Sequence, residues 1–438
     1  MNSKLLYKEK KLASKVREIS AKYSGILTDD IKYYEGSSFD SRLNLVVAEM
    51  PNYEKLVSKD FIASYHLSGY GRDLNDSMNR LLGESIERYA SIASIKYLKS
   101  RLFYKKYSDV TDSKSDLIYL SPYMPKQEKE LNNLRFRQER CNRLRKDQKV
   151  CWVRAKSLFN PTKSVAVPAS HFFVGCTEYS CNFLSVSTGT ATYTDFNFAL
   201  YNALIEYIQI DAYQRGWYSQ ESIPAFDISD LPSNITKDAI NLLGNLLKKY
   251  RVLVTDYSKF AVSDIYVFGI FLISRSGKNV PAISFGLQGG TNIANALFRG
   301  LAEAIADLET CRMSLIDNPV FADVDRRKIV NLDDNVTYFA NPANFQENVE
   351  YINSRVSKVE NIKVRDHKPN IRKLIDDIKN VSSSACFLDI TPPFIENYRV
   401  IRLFIPELLS ISFPSFPQMN HPRFIGLRNE DYYISALP

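Results

Sequence analysis

The chain has 438 residues, 45% of them hydrophobic and 12% aromatic, which is enough for one large buried core or two to three ordinary ones and excludes a disordered chain. A formal charge of +8 suits an anionic partner but is dilute over this length, and nucleic-acid binding is not expected. Six cysteines (Cys141, Cys151, Cys176, Cys181, Cys311, Cys386) and four histidines form no CxxC pair and no zinc-spaced cluster, and the longest apolar run, IYVFGIFLI, is too short to span a bilayer, so a reduced, cytoplasmic protein is the default.

Residues 1–60 mix a polar opening with apolar pieces such as LNLVVAEM and read as a small N-terminal subregion. From about 74 to 104 the pattern is helical: in RLLGESIERYASI, Leu81, Leu82, Ser85, Ile86, Tyr89 and Ile92 recur at helical spacing. Glu84 and Glu87, three apart, then project from neighbouring points of one helix face, where they either wet a surface or hold something positive. SDVTDSKSD is a loop by composition, and the charged run 126–150 reads as a solvated helix or insertion. VCWVRAKSL and KSVAVPASHFFV form a predicted hairpin around Asn160-Pro161. YRVLVTDYS, IYVFGIFLIS and VPAISFG are further strands, the last two joined by Arg-Ser-Gly-Lys. Strands and helices interleave with no clear linker, which predicts an α+β fold in one large domain with peripheral additions.

One pattern occurs three times. SMNRLLGE, ALYNALIE and ALFRGLAE share a small residue, Leu or Met, a polar fourth place, Leu at the sixth and Glu at the eighth. Each follows glycine-containing sequence: SGYGRD with Gly69 and Gly71, STGTAT with Gly189, and GLQGGTN with Gly286, Gly289 and Gly290. The expected unit is a glycine turn feeding an amphipathic helix that carries a glutamate. Such turns expose backbone N–H groups to phosphates, while carboxylates from converging helices suit the oxygen ligation that Mg²⁺ prefers.

These segments resemble the YcaO family, enzymes that use ATP to activate backbone amides of peptides. The resemblance runs from about Ser68 to Arg312 and continues more weakly beyond. SGYGRDLNDSMNRLLGESIERY is similar to the family's glycine turn and G-E-x-x-E-R helix. STGTATYTDFNFALYNALIEYIQIDA is similar to its second block, GGTNIANALFRGLAEAIADLETCR to its third, and CWVRAKSLFNPTKSVAVPA to its tryptophan-led hairpin. It implies one YcaO-type domain over 61–438, with an ATP-binding core at about 68–312 and a C-terminal region at 313–438. It also implies ATP and Mg²⁺ as cofactors, Glu84, Glu87 and Glu206 as metal ligands, and Arg88 and Glu303 at the nucleotide. Departures fall on the second helix, where the family's second glutamate and its arginine are Gln209 and Ile210 and an acidic position is Phe198. Gln209 could still offer a carbonyl oxygen, and Arg72 or Arg299 would cover the phosphates in place of the missing arginine.

Within the family, IPELLSISFPSFPQMNHPRF resembles the D-protein subgroup, which makes thiazolines and oxazolines in ribosomal peptide natural products such as bacteriocins. Those enzymes often finish in a proline-rich tail that reaches the active site, whereas ISALP matches only its last step. As the resemblance implies, a Cys, Ser or Thr side chain of a precursor peptide attacks the preceding amide, ATP phosphorylates the resulting oxyanion, and phosphate leaves to give the ring. The implied partners are that ribosomal precursor peptide, a ThiF-like or leader-binding protein and a flavin-dependent dehydrogenase; a homodimer is compatible with it. Two other readings stay open: a degenerate scaffold or regulatory homologue, which Gln209, Ile210 and the short tail favour, and thioamide formation by the same amide activation.

Overall fold

The computed structural model describes residues 19–21, 25–28, 30–34, 41–51, 65–134, 143–174, 186–317, 321, 324–359, 364–425 and 432–437. Strands β1 (Ile31–Tyr34), β2 (Asn44–Met50) and β3 (Tyr65–Gly71) form an antiparallel three-stranded sheet. LNLVVAEM is thus part of β2, and its sheet continues across the composition boundary at residue 60 into β3.

Helix α1 (Leu74–Tyr97) follows, started by Asp73, whose side chain accepts the Asp76 N–H at 2.9 Å. It ends at Tyr97 rather than 104, because Leu102–Lys106 forms β4 instead. All six of the predicted face residues, Leu81, Leu82, Ser85, Ile86, Tyr89 and Ile92, are buried. Then come the short β5 (Ser113–Lys114), α2 (Pro125–Asn133), β6 (Lys149–Ser157) and β7 (Ser164–Pro168). Within the charged run only Pro125–Asn133 is helical among the described residues; 135–142, with Cys141, lie outside them, as do Cys176 and Cys181. Strands β6 and β7 pair as the expected hairpin, with Trp152 opposite Pro168. Trp152 is fully buried and donates Nε1–H to the Lys105 carbonyl at 2.9 Å.

Strand β8 (Thr190–Tyr193) leads into α3 (Phe196–Tyr218), capped by Asp195, which accepts the N–H groups of Asn197 and Phe198. Next are β9 (Ile223–Asp227), α4 (Ser233–Leu243), β10 (Tyr250–Asp256), β11 (Tyr266–Ser274), β12 (Ile283–Gly290) and α5 (Ile293–Asp317). After β13 (Val356–Lys358), β14 (Cys386–Asp389) and β15 (Arg399–Phe404) complete the sheets. Five strands run in the order β12-β11-β10-β9-β13, and seven form a sheet along β5-β7-β6-β14-β15-β8, with β4 also on β6. The C-terminal region therefore supplies two inner strands of the largest sheet. Cys151, Cys311 and Cys386 are buried free thiols.

Three helices tie the sheets together. Helix α1 packs on β2 and β3, α5 on β11 and β12, and α3 reaches from β8 and β15 on one side to β11 and β12 on the other. Helix α3 is buried nearly all round, with Leu204, Ile208, Tyr213 and Trp217 within one core cluster. The segment Ile434–Leu437 docks between this helix and the helix Leu332–Ala340: Ala436 N–H donates to Tyr213 Oη at 2.9 Å and Asn335 Nδ2–H to the Leu437 carbonyl at 2.9 Å. Tyr213 lies seven residues along α3 from Glu206, about 10 Å away.

The glycines expected to form turns before helices do something else. Gly69 and Gly71 lie within β3, and Gly286, Gly289 and Gly290 within β12. A Cβ on Gly69 would stand 2.0 Å from the Ser77 carbonyl oxygen, and one on Gly286 would stand 2.3 Å from the Gly300 carbonyl oxygen. These glycines let a helix backbone lie directly on a strand, a tertiary requirement that a local reading of Gly as a turn residue does not see. Only Gly189, at φ 78°, occupies a left-handed turn conformation among them.

Gly286→Ala or Gly69→Ala is therefore expected to destabilise by about 3 kcal/mol or more, since backbone must move to admit the methyl. Gly83→Ala, where an added Cβ meets nothing within 4 Å, is expected to be neutral or to stabilise by up to about 1 kcal/mol. Urea denaturation of the three variants checks the contrast; equal effects at positions 83 and 286 would contradict the close-packing account.

Candidate functional site

Strands β3 and β12 are edges of their sheets, and their outward N–H groups face the helices instead of another strand. On β12 these donors are taken in turn by side chains: Phe285 N–H by Asp307 (3.4 Å), Leu287 N–H by Glu303 (3.0 Å) and Gly289 N–H by Gln209 (2.6 Å). The match is geometric, because four residues along α5 advance about 6 Å and two residues along β12 about 6.8 Å. Ser68 N–H of β3 donates likewise to Glu84 at 3.2 Å. Beside β8, the Gly189 N–H donates to Glu206 while its carbonyl accepts the Leu403 N–H at 2.8 Å, a division that its positive φ permits.

This arrangement brings together Glu84, Glu87 and Arg88 from α1, Glu206 from α3, and Glu303 and Arg299 from α5. Arg88 pairs with Glu84 at 3.6 Å, one helical turn away, and each keeps about a third of its side-chain surface exposed (28% and 31%). Burial pushes the Glu84 carboxyl up, and Arg88 opposes that. Burial raises Glu87 further, and the facing Glu206 carboxylate adds to it. Glu206 is pushed up to about 7 by burial, against the pull of Arg88 and Arg402. Burial also takes Glu303 up to about 7, although Gln288, the Leu287 N–H, Arg299 and Arg80 favour its charged form.

The other sequence-predicted positions fall elsewhere. Gln209 is buried with its carbonyl oxygen on Gly289 N–H, so its oxygen serves the ladder of β12. Ile210 is buried in the core, and Phe198 is 52% exposed in the first turn of α3, its ring 5.2 Å from that of Tyr193. Arg72 pairs with Asp238 at 3.5 Å and lies over the Phe298 ring at 4.2 Å, away from the carboxylates.

Sequence reasoning missed Arg402. It is fully buried, donates to the carbonyls of His171 (3.2 Å), Ser187 (3.4 Å) and Val186 and to Thr190 Oγ1, and its charge favours ionisation of Glu206 and Glu87. Burial lowers the guanidinium to about 10. The available signal was one charged residue inside the apolar strand RVIRLF, since a buried charge has to be held by something. Tyr70 and Arg80 also border the group: the Arg80 guanidinium is 5.2 Å from the Tyr70 ring, and Glu303, Arg80, Arg299 and Glu84 all act on the Tyr70 hydroxyl.

Among the described residues no three His, Cys, Asp or Glu side chains group tightly enough to hold a metal ion by themselves. Mg²⁺ is usually held by one or two carboxylates plus substrate phosphates and water, and the facing Glu87 and Glu206 are such a pair. Their mutual repulsion in a buried setting is what a divalent cation relieves, so the donor set fits Mg²⁺. A cavity of about 510 Å³ opens between α3 and α5, lined by Tyr201, Asn202 and Ile205 of α3, next in sequence to Glu206, and by Gly289 of β12, Asn295 and Arg299 of α5, and Asp366 and Lys368. It has room for a nucleotide, with the Arg299 cation on its wall.

No helix among the described residues is long and apolar enough to cross a membrane. A comparison with curated protein sequences finds no match. Among solved structures, YcaO from Methanopyrus kandleri bound with AMPPCP and Mg²⁺ is similar at 12% identity and TM-score 0.61, over 92% of this chain and 91% of that one. A heterocyclase in complex with substrate and cofactor matches at 13% identity and TM-score 0.68, over 97% of this chain but 55% of that one, so this chain spans about half its length. The E. coli microcin synthetase McbBCD complex with pro-MccB17 bound gives 13% identity and TM-score 0.58, over 88% and 90%. At these identities the likeness shows the fold. The family model described as "YcaO cyclodehydratase, ATP-ad Mg2+-binding" matches residues 68–409, most of the chain and all the site residues above. The chain belongs to the YcaO family.

Proposed function

We propose that this chain is the ATP-using cyclodehydratase component of an azoline-forming peptide synthetase, converting Cys, Ser or Thr of a ribosomal precursor peptide to thiazoline or oxazoline. The observation that carries this reading is the convergence of Glu84, Glu87, Glu206 and Glu303 from three helices, with Arg88, Arg402 and Arg299 around them and Arg299 also on the wall of the cavity between α3 and α5. When bound, MgATP supplies an electrophilic phosphoryl group that turns an amide oxygen into a leaving group.

The chain's own residues have separable roles. Glu87 and Glu206, with Glu84, would hold the magnesium. Ser68 and Gly189 N–H groups orient Glu84 and Glu206, leaving their remaining oxygen lone pairs for the ion. Arg299, at the cavity wall, and Arg88 offset phosphate charge, and Arg402 takes over from the cation that Ile210 cannot provide. The site's work is positioning and charge stabilisation in a place of low water content. The pro-MccB17-bound synthetase complex and the substrate-bound heterocyclase support a precursor peptide and companion proteins as partners. The scaffold reading draws on Gln209, which leaves α3 one carboxylate at the metal instead of two; the hydrogen bond to Gly289 gives that neutral residue a structural reason.

Glu87→Gln is expected to weaken magnesium-dependent ATP binding by at least the roughly 10–100-fold that loss of a residue supporting a metal costs, with the melting temperature unchanged or raised. Calorimetry with MgATP checks this. Absence of nucleotide binding by the unmodified chain, with peptide and partner present, would favour the scaffold reading.

The raised carboxyls also set a pH dependence. Glu206, Glu303 and Asp307, each pushed up to about 7, keep their protons to higher pH when folded than the ordinary 4.5 for Glu or 3.8 for Asp. Their contribution is therefore fully present below the ordinary range, and the metal-free protein loses stability as pH rises through about 7. Asp307→Asn is expected to flatten part of that slope, and MgATP to raise Tm more at about pH 8 than at about pH 5. Thermal melts across pH check both; a slope unchanged by Asp307→Asn would contradict the assignment.

A further inference from the structure

Arg72 belongs to a second cavity. A cavity of about 140 Å³ lies between α4, α5 and the face of the five-stranded sheet, lined by Leu231, Ile235, Val254, Ile270, Leu297 and Phe298. Leu297 and Leu301 face it from α5, and Glu303 lies two residues beyond Leu301, about 200° round the helix, so this cavity lies on the other side of α5 from the carboxylates and shares only Asn295 with the cavity at Arg299. Its wall is apolar except for Arg72, Asp238 and Asn295.

The polar pair is held in place from both sides. Asn44 Nδ2–H donates to the Arg72 carbonyl at 2.8 Å, and the guanidinium stacks on Phe298 at 4.2 Å. Asp238 stands on α4, which Arg42 N–H fixes through the Leu242 carbonyl at 2.8 Å. Arg72 and Asp238 touch through one contact of 3.5 Å, and their side chains are 57% and 64% exposed. An exposed pair of this kind contributes at most about 1 kcal/mol and opens easily. Each partner keeps unused capacity: a guanidinium has five N–H donors and a carboxylate about four acceptor positions.

We propose that this cavity binds a free apolar α-amino acid, its carboxylate on Arg72, its ammonium on Asp238 and its side chain among the Leu, Ile, Val and Phe residues. A ligand bearing only a carboxylate would meet the Asp238 charge, and one bearing only an ammonium would meet Arg72. A zwitterion satisfies both, and an apolar side chain matches the lining. The proposal does not depend on the peptide reading, because the cavity uses none of the magnesium-binding carboxylates.

Calorimetry of the full chain with L-phenylalanine and L-leucine tests it, with 3-phenylpropionate and phenethylamine as analogues lacking one charge. Saturable binding of at least one amino acid at one site is expected, and the analogues should bind at least about tenfold more weakly. Asp238→Asn and Arg72→Met, both at exposed positions that leave the core intact, should each weaken amino-acid binding by a similar factor. Ala239→Phe, which fills the cavity, should abolish it. Equal or tighter binding of 3-phenylpropionate, binding untouched by Asp238→Asn, or no saturation by either amino acid would overturn the proposal. MgATP titration of the same variants separates this outcome from failure of the catalytic reading.

Discussion

An edge strand packed against helices carries N–H groups that no neighbouring strand can take, and β3 and β12 are two such edges here. Leaving them without acceptors would cost about 1–3 kcal/mol each, so something on the packed helices has to accept. Asp307, Glu303 and Gln209 do so along β12, and Glu84 does so on β3. The glycines of these strands bring the helices close enough for acidic side chains to reach. Placing Glu84 and Glu303 and satisfying the sheet edges are one and the same packing solution.

That solution has an electrostatic consequence. Carboxylates suited to accept strand N–H groups are gathered where burial disfavours their charge, and Glu87 faces Glu206 with arginines as partial compensation. The ladder of β12 shows where charge is needed and where it is not. Gln209 fills its place as a neutral acceptor, whereas Glu87 is a buried carboxyl raised by burial and by the facing Glu206, with Arg88 and Arg402 opposing the shift. A divalent ion that arrives with anionic phosphates would oppose it further.

Much of this was legible locally. The helical spacing of Leu81 to Ile92 marked the buried face of α1, the Asn160-Pro161 punctuation marked the β6–β7 hairpin, and the thrice-repeated Leu/Glu pattern marked the three helices whose glutamates meet. What escaped is set by distant chain. Gly69 and Gly286 look like turn residues until the helix lying on them is known, and Arg402 comes from a strand almost two hundred residues beyond Glu206. Arg72 looks like a phosphate ligand beside a glycine motif, yet its partner Asp238 stands on α4, 166 residues away.

Under the proposed function Glu87 of α1 and Glu206 of α3, with Glu84 beside them, would share one nucleotide-bound divalent ion. Anomalous diffraction from crystals grown with Mn²⁺ and a non-hydrolysable ATP analogue tests it most directly. The account predicts a manganese peak between Glu87 and Glu206, with nucleotide density in the cavity lined by Asn202 and Arg299. A peak at other carboxylates, or nucleotide bound with no metal between these helices, would contradict it.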